Sequence, residues 1–109
     1  MLQSKNVDLD TKVQFLHGFG HRTRIEIMEQ LQSGEKTVSE IMETVEASQS
    51  SISQHLACLR GCGLIVNRQE GKFVYYRLRN EKIHRLLEMF DDVLDDVEND
   101  VGTCDHQFM

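Results

Sequence analysis

The chain has 109 residues, a net charge of −6, three cysteines and neither proline nor tryptophan. This length predicts one small domain, and the absence of any run of about 18 apolar residues excludes a membrane-spanning helix. Because an odd number of cysteines does not form a small disulfide framework, we expect free thiols and a cytoplasmic location.

The charge is distributed unevenly along the chain. Residues 86–109 contain eight acidic residues and no lysine or arginine, so residues 1–85, with 12 basic and ten acidic residues, have a net charge of +2. Residues 52–85 contain seven basic and two acidic residues, a net charge of +5. This asymmetry is typical of a surface that faces nucleic-acid phosphate, although two ordinary solvated faces would give the same counts.

Four short helices are predicted first in chain order. Apolar residues at helical spacing predict helices over residues 8–16 and 21–32. Thr37 and Glu40 have the spacing of a capping box, which predicts that a third helix begins at Thr37. Ser48 is a candidate N-cap for a fourth helix that ends at Cys62, before Gly63.

A hairpin and a long helix follow. β-like runs over residues 64–69 and 73–78 flank a turn at Gly71, and a last helix over residues 80–99 has an apolar stripe wide enough for a dimer seam. A helix packed only on its own domain would use such a stripe as well. We therefore predict a mainly α fold with a small β-hairpin, a dimeric winged helix-turn-helix over residues 1–99, and a tail over residues 100–109.

The fourth helix and the hairpin supply the candidate DNA contacts. Serine, glutamine and histidine side chains can hydrogen-bond base edges and phosphates, and cations near a hairpin tip suit the DNA backbone. A solvated, capped helix would show the same polar run, so the prediction depends on the order of the elements and the local charge. The candidate DNA-binding residues are Gln49, Ser50, Ser51, Ser53, Gln54, His55, Arg68 and Lys72.

Two cysteines on the fourth helix form a candidate metal site. Cys58 and Cys62 are four residues apart, which places their Cβ atoms about 5–6 Å apart on one helix face. Two thiolates bound to one ion lie roughly 3.8 Å apart, so side-chain rotation lets the pair chelate. Burial of both as small apolar residues is the alternative. We expect Arg60 to help keep the thiols deprotonated.

Three segments resemble the ArsR/SmtB family of metal-sensing repressors. The run Ser-Gln-Ser-Ser-Ile-Ser-Gln-His-Leu over residues 48–56 resembles the recognition helix, residues 21–28 resemble the start of the second helix, and residues 69–76 resemble the wing. The resemblance covers about residues 8–98. It implies a homodimer with the first and last helices at its seam, and two recognition helices in successive major grooves of a palindromic operator.

A second motif resembles one branch of that family. Residues 57–64, Ala-Cys-Leu-Arg-Gly-Cys-Gly-Leu, are similar to the signature of the cadmium- and lead-sensing, CmtR-like branch. The resemblance implies three metal ligands, Cys58, Cys62 and Cys104, with Cys104 supplied by the other protomer. Asp105 or His106 could add a fourth. Soft thiolates suit Cd(II) or Pb(II); Zn(II) is compatible and As(III) is a competitor.

Together these features predict a metal-responsive repressor rather than an enzyme. The apo homodimer would bind double-stranded operator DNA and be released when Cd(II) or Pb(II) binds its cysteines. No membrane and no small-molecule substrate are expected. An arsenite-responsive repressor, a repressor that senses thiol oxidation and a winged-helix interaction module without an effector stay open as alternatives.

Overall fold

A computed structural model describes residues 7–101, without the side chains of residues 99–101. The described elements are α1 (Leu9–His17), α2 (Arg22–Leu31), α3 (Val38–Met42), α4 (Gln49–Gly61), β1 (Ile65–Glu70), β2 (Phe73–Leu78) and α5 (Glu81–Val101). This order confirms the predicted winged helix-turn-helix, with small differences at the helix and strand ends. Residues 7–79 form one compact unit, and α5 belongs to a second.

The helix starts are fixed by local side-chain hydrogen bonds. Thr37 and Glu40 form the predicted capping box, in which the Glu40 N–H donates to Thr37 Oγ1 at 3.2 Å and the Thr37 N–H donates to Glu40 Oε1 at 2.8 Å. The Ser51 N–H donates to Ser48 Oγ at 3.1 Å, which confirms Ser48 as the N-cap of α4. Each bond satisfies an amide that has no partner within its own helix.

The core of the first unit orients α4. Ile52, Leu56 and Leu59 are fully buried, as their helical spacing predicts. They share the interior with apolar side chains from the other elements of this unit: Ile27, Met28, Leu31, Ile41, Val45, Leu64, Ile65 and Leu78. Burial of that stripe leaves the polar side of α4 facing outward.

The hairpin is antiparallel and short. Ile65 pairs with Leu78 at its base and Glu70 pairs with Phe73 at its tip. Gly71 occupies the turn with φ 62°, a conformation that favours glycine. An isolated bridge joins Lys36, which precedes α3, to Tyr76 on β2. The wing is therefore attached at its base to the helix-turn-helix.

The helix of the second unit is amphipathic. On α5, Ile83 and Leu87 are buried, whereas Met89, Val93 and Leu94 are exposed. Exposed apolar residues at helical spacing are the kind of face that a second protein copy covers; the predicted dimer seam stays a prediction. Within residues 7–101, no helix combines the length and apolar character needed to cross a membrane.

Candidate nucleic-acid interface and thiol site

The first half of α4 presents small polar side chains outward. Gln49, Ser50, Ser53 and Gln54 are exposed on the outer side of the helix. The first turn of α4 contains no acidic residue, so the partial positive charge of the helix start is not offset there. This end of α4, residues 49–54, is termed the reading end, because its donors and acceptors match those on base edges and phosphates.

His55 and Ser51 are less accessible than the other predicted contacts. The ring of His55 lies 4.4 Å from that of His21, and Arg24 Nε donates to His55 Nδ1 at 3.2 Å. Because Nδ1 accepts this bond, the proton of the neutral ring resides on Nε2. Burial, followed by the charges of His21 and Arg24, lowers the pKa of His55. A DNA contact by His55 stays a prediction, and it would use Nε2–H as a donor.

Arg24 joins three helices and was missed by the sequence analysis. Besides its bond to His55 on α4, Arg24 Nη1 donates to the carbonyl of His17 at the end of α1, at 3.0 Å. These partners lie 31 and seven residues away along the chain. The resemblance of residues 21–28 to a known helix start marks Arg24, but no local spacing identifies its partners.

The two candidate contacts on the wing have different surroundings. Arg68 Nε donates to the carboxylate of Glu35 at 3.2 and 3.1 Å, and Arg68 Nη1 donates to Glu70 at 2.7 Å. These hydrogen bonds lower the pKa of Glu35 and raise that of Arg68. Lys72 is exposed at the turn, and its Nζ lies 5.7 Å from the centroid of the Phe73 ring.

Cys58 and Cys62, the thiol pair, lie at the carboxyl end of the same helix. Both are free, half-buried thiols. The Cys62 N–H donates to the Cys58 carbonyl at 2.9 Å, so one helical turn separates the two residues, as predicted. The Cys62 thiol donates to the carbonyl of Gln14 on α1, at a sulfur–oxygen distance of 3.4 Å.

The expectation that Arg60 lowers the thiol pKa is wrong for Cys62. Burial raises the pKa of Cys62, and the neighbouring Cys58 raises it further. The cation that acts against this increase is Arg24, from α2, rather than Arg60. Because burial depends on tertiary packing, the direction could not be derived from the charges that are close in sequence.

Two of the three predicted metal ligands, Cys58 and Cys62, lie within the described residues. Within them, no three histidine, cysteine, aspartate or glutamate side chains are grouped so that they could hold an ion. The thiol pair suits two positions of a soft-metal site, because its donors share a helix face and can become thiolates. Cys104, Asp105 and His106 lie outside the described residues, so their predicted roles stay predictions.

This sequence and fold are similar to those of one family of bacterial regulators. The family model "Bacterial regulatory protein, arsR family" matches residues 21–66. The chain is similar to the "Probable mercury resistance operon repressor" of Streptomyces lividans, with 31% identity over 78 residues, 72% of this chain and 62% of that protein. It is also similar to the "HTH-type transcriptional regulator CmtR" of Mycobacterium tuberculosis, with 44% identity over 48 residues, 44% of this chain and 41% of that protein.

A solved structure shares the fold over most of the chain. The "homodimeric winged helix-turn-helix DNA-binding domain" of "a possible ArsR-family transcriptional regulator" from Mycobacterium bovis has a TM-score of 0.78 and 28% identity. That match covers 84% of this chain and 85% of the solved one. By contrast, the chain spans less than two thirds of the length of the two curated relatives.

Proposed function

Because the chain belongs to the arsR family of bacterial regulatory proteins, we propose that it is a cytoplasmic, metal-responsive transcriptional repressor. The metal-free homodimer binds operator DNA, and a soft metal ion at its cysteines releases it. The named relatives are regulators rather than enzymes, in agreement with the prediction that the chain is not an enzyme. Their names, a mercury resistance repressor and CmtR, support a metal effector for this chain.

One observation carries the proposal: the reading end and the thiol pair are joined by α4, with Cys58 inside this 13-residue helix and Cys62 as its C-cap. Ile52, Leu56 and Leu59 hold that helix in the core between the two ends, and none of them is exposed. A close-packed core does not deform continuously. A change in the position of the carboxyl end of α4 is therefore transmitted to the residues that would contact bases.

Loss of the thiol protons is the step that alters the contacts of α4. Metal ligation requires thiolates, and a thiolate at Cys62 cannot donate a hydrogen bond to the Gln14 carbonyl. Loss of that bond removes a contact between α4 and α1. By linkage, the effector lowers the affinity for DNA by the same factor by which DNA lowers the affinity for the effector.

The ligand set that we propose is Cys58 and Cys62 of one protomer with Cys104 of the other. Three thiolates favour soft and borderline ions. Cd(II) and Pb(II) are the proposed effectors, Zn(II) is compatible, and Hg(II) joins the candidates through the name of the Streptomyces lividans relative. As(III) is the alternative effector for the same site.

DNA release by defined ions tests the function. Duplexes selected from a random pool by the metal-free protein would be labelled and followed by fluorescence anisotropy, with a phosphine reductant that is not itself a thiol. We expect Cd(II) or Pb(II), titrated separately from Zn(II), Hg(II) and arsenite, to release the DNA at about one ion per protomer. Cys58→Ser, Cys62→Ser and Cys104→Ser should each bind DNA as wild type does and fail to respond.

Ala57→Ser is the matched control, because it places the same hydroxyl at an exposed neighbouring position of α4 and should leave the response intact. Release by arsenite alone would assign the chain to arsenical sensing, and release by peroxide that survives a chelator would indicate thiol oxidation. If Cys58→Ser abolished DNA binding without metal, the thiol would be structural and the proposal would fail. If no ion released the DNA, the chain would be a repressor without this effector.

A further inference from the structure

The wing is joined to the helix-turn-helix through two adjacent residues, Glu35 and Lys36. The Lys36 N–H donates to the Tyr76 carbonyl at 2.9 Å and the Tyr76 N–H donates to the Lys36 carbonyl at 2.8 Å, which attaches strand β2. Glu35 accepts from Nε and Nη2 of Arg68, which attaches strand β1. Because each strand has its own attachment, the pair sets the angle of the hairpin relative to the segment before α3.

The charge of Arg68 is already neutralised within the protein. Two carboxylates, those of Glu35 and Glu70, accept hydrogen bonds from its guanidinium. The guanidinium carbon also lies 4.7 Å from the centroid of the Tyr75 ring, so the side chain is held on one face as well. Three of its five N–H groups are bonded to these carboxylates, so a phosphate would meet a cation whose charge is already offset.

Lys72 lies two residues beyond Glu70, in a different environment. It is exposed at the turn, and no carboxylate among the described side chains forms an ion pair with it. Its ammonium group lies near the ring of Phe73, which is itself 51% exposed. The tip of the wing therefore presents a cation whose charge is not offset by a neighbouring acid.

We propose that Arg68 is a positioning residue that fixes the wing to the helix-turn-helix through Glu35, and that Lys72 is the wing residue that contacts DNA phosphate. This inference rests on the DNA-binding function proposed above. The sequence predicted that both cations contact the DNA backbone. In the present proposal only Lys72 does so, and Arg68 has a different role.

Two substitutions distinguish a positioning role of Arg68 from a phosphate contact, because the two roles predict changes of opposite sign in DNA affinity. Glu35→Gln and Glu70→Gln each remove one negative charge from Arg68, but only Glu35 lies outside the hairpin. Glu35→Gln should weaken DNA binding by at most about fivefold per protomer, because it removes an exposed ion pair. Glu70→Gln should not weaken DNA binding. If Arg68 contacts phosphate, both substitutions free its charge and strengthen binding, and the proposal is overturned.

The salt dependence of DNA affinity tests Lys72. Each lost phosphate contact lowers the slope of log affinity against log salt by about 0.9, or about 1.8 in a dimer. We expect this decrease for Lys72→Ala and an unchanged slope for Arg68→Ala. Equal decreases for both variants would show that both cations contact the backbone.

Amide hydrogen exchange tests the attachment without DNA, so it still decides the matter if the DNA-binding function fails. Glu35→Gln should speed exchange of the Lys36 and Tyr76 amides by at most about fivefold, and Glu70→Gln should not. Thermal unfolding of both variants must show a fully folded protein at the assay temperature. Unchanged exchange in Glu35→Gln would overturn the positioning role whatever the DNA measurements give.

Discussion

The two ends of α4 differ in how they are held. At the reading end, Gln49, Ser50 and Ser53 are exposed, and the local bond between Ser48 and Ser51 fixes the helix start. At the carboxyl end, Cys58 and Cys62 are half-buried, and the Cys62 thiol donates to the Gln14 carbonyl, 48 residues away along the chain. One end is stabilised by neighbours in sequence and the other by tertiary contacts.

This difference suits a sensor. The exposed polar side chains of the reading end can form new hydrogen bonds with DNA at little cost, because they give up few existing ones. In the proposed function, the carboxyl end, which is bonded to another helix, is the part that responds when the chemistry of its thiols changes. The contrast holds only if the buried middle of α4 transmits movement between the ends, so substitutions along the helix test it.

Leu56→Ala should remove much of the packing that links the two ends of α4. Leu56 is fully buried in the middle of α4, and truncation of a buried leucine to alanine costs about 2–5 kcal/mol. We expect that loss in the free energy of unfolding, measured by urea denaturation at one fixed protein concentration because a dimer couples stability to concentration. Gln54→Ala, on the exposed side, should change it by less than about 0.5 kcal/mol. Equal effects would mean that the middle of α4 is not a packed link.

Gly18→Ala should overpack the core beside the carboxyl end of α4. Gly18 has φ −64°, which alanine tolerates, but an added Cβ would overlap Leu64 Cδ1. Because Leu64 is fully buried, it cannot move into solvent, and overpacking of this kind costs about 1–3 kcal/mol. Urea denaturation should show the loss.

Gly20→Ala is the control for that substitution. An added Cβ there would lie 3.6 Å from the nearest heavy atom, the His17 carbonyl oxygen, which is an ordinary contact. Its effect on the free energy of unfolding should stay within about 0.5 kcal/mol. A loss at Gly20 as large as that at Gly18 would show that backbone freedom in this turn, rather than the contact with Leu64, decides the cost.

Ser48→Ala should loosen the reading end. Removal of the N-cap oxygen leaves the Ser51 amide without its partner, which typically costs about 1 kcal/mol. Faster hydrogen exchange should be confined to the first turn of α4 and should not reach Cys62. Ser50→Ala, two residues further along the chain, is the control and should leave exchange unchanged. Faster exchange over the whole helix would show that the two ends are not independent.

Local structure was predictable from the sequence because its determinants are close along the chain. Thr37 and Glu40 are three residues apart, and Gly71 sits in the turn that it enables. The apolar stripe of α4 follows from helical spacing alone. Such features require no knowledge of tertiary contacts, and the structure confirms each of them.

The electrostatic environment of the candidate site could not be predicted in the same way. Arg24, which donates to His55, and Glu35, which accepts from Arg68, lie 31 and 33 residues away from these partners, so no pattern in the sequence pairs them. For Cys62, the basic residue close in sequence is Arg60, but the cation that lowers its pKa is Arg24, and burial outweighs it. The residue types at the site were identifiable, whereas their neighbours depend on how the helices pack.

The pH dependence of stability should show the smallest effect, at the junction between the two ends of α4. The pKa of His55 lies below its ordinary value of 6.5, chiefly because of burial and then the charges of His21 and Arg24. Below that value the unfolded chain binds more protons at His55 than the folded one, so its contribution to stability is present above pH 6.5 and declines as the pH falls. His55→Gln should remove that part of the decline, as judged by urea denaturation of both proteins between about pH 5 and 8. The chain has four other histidines, so the difference between wild type and variant is the quantity to follow. A difference that does not change with pH would mean that burial and the neighbouring charges do not lower the pKa of His55.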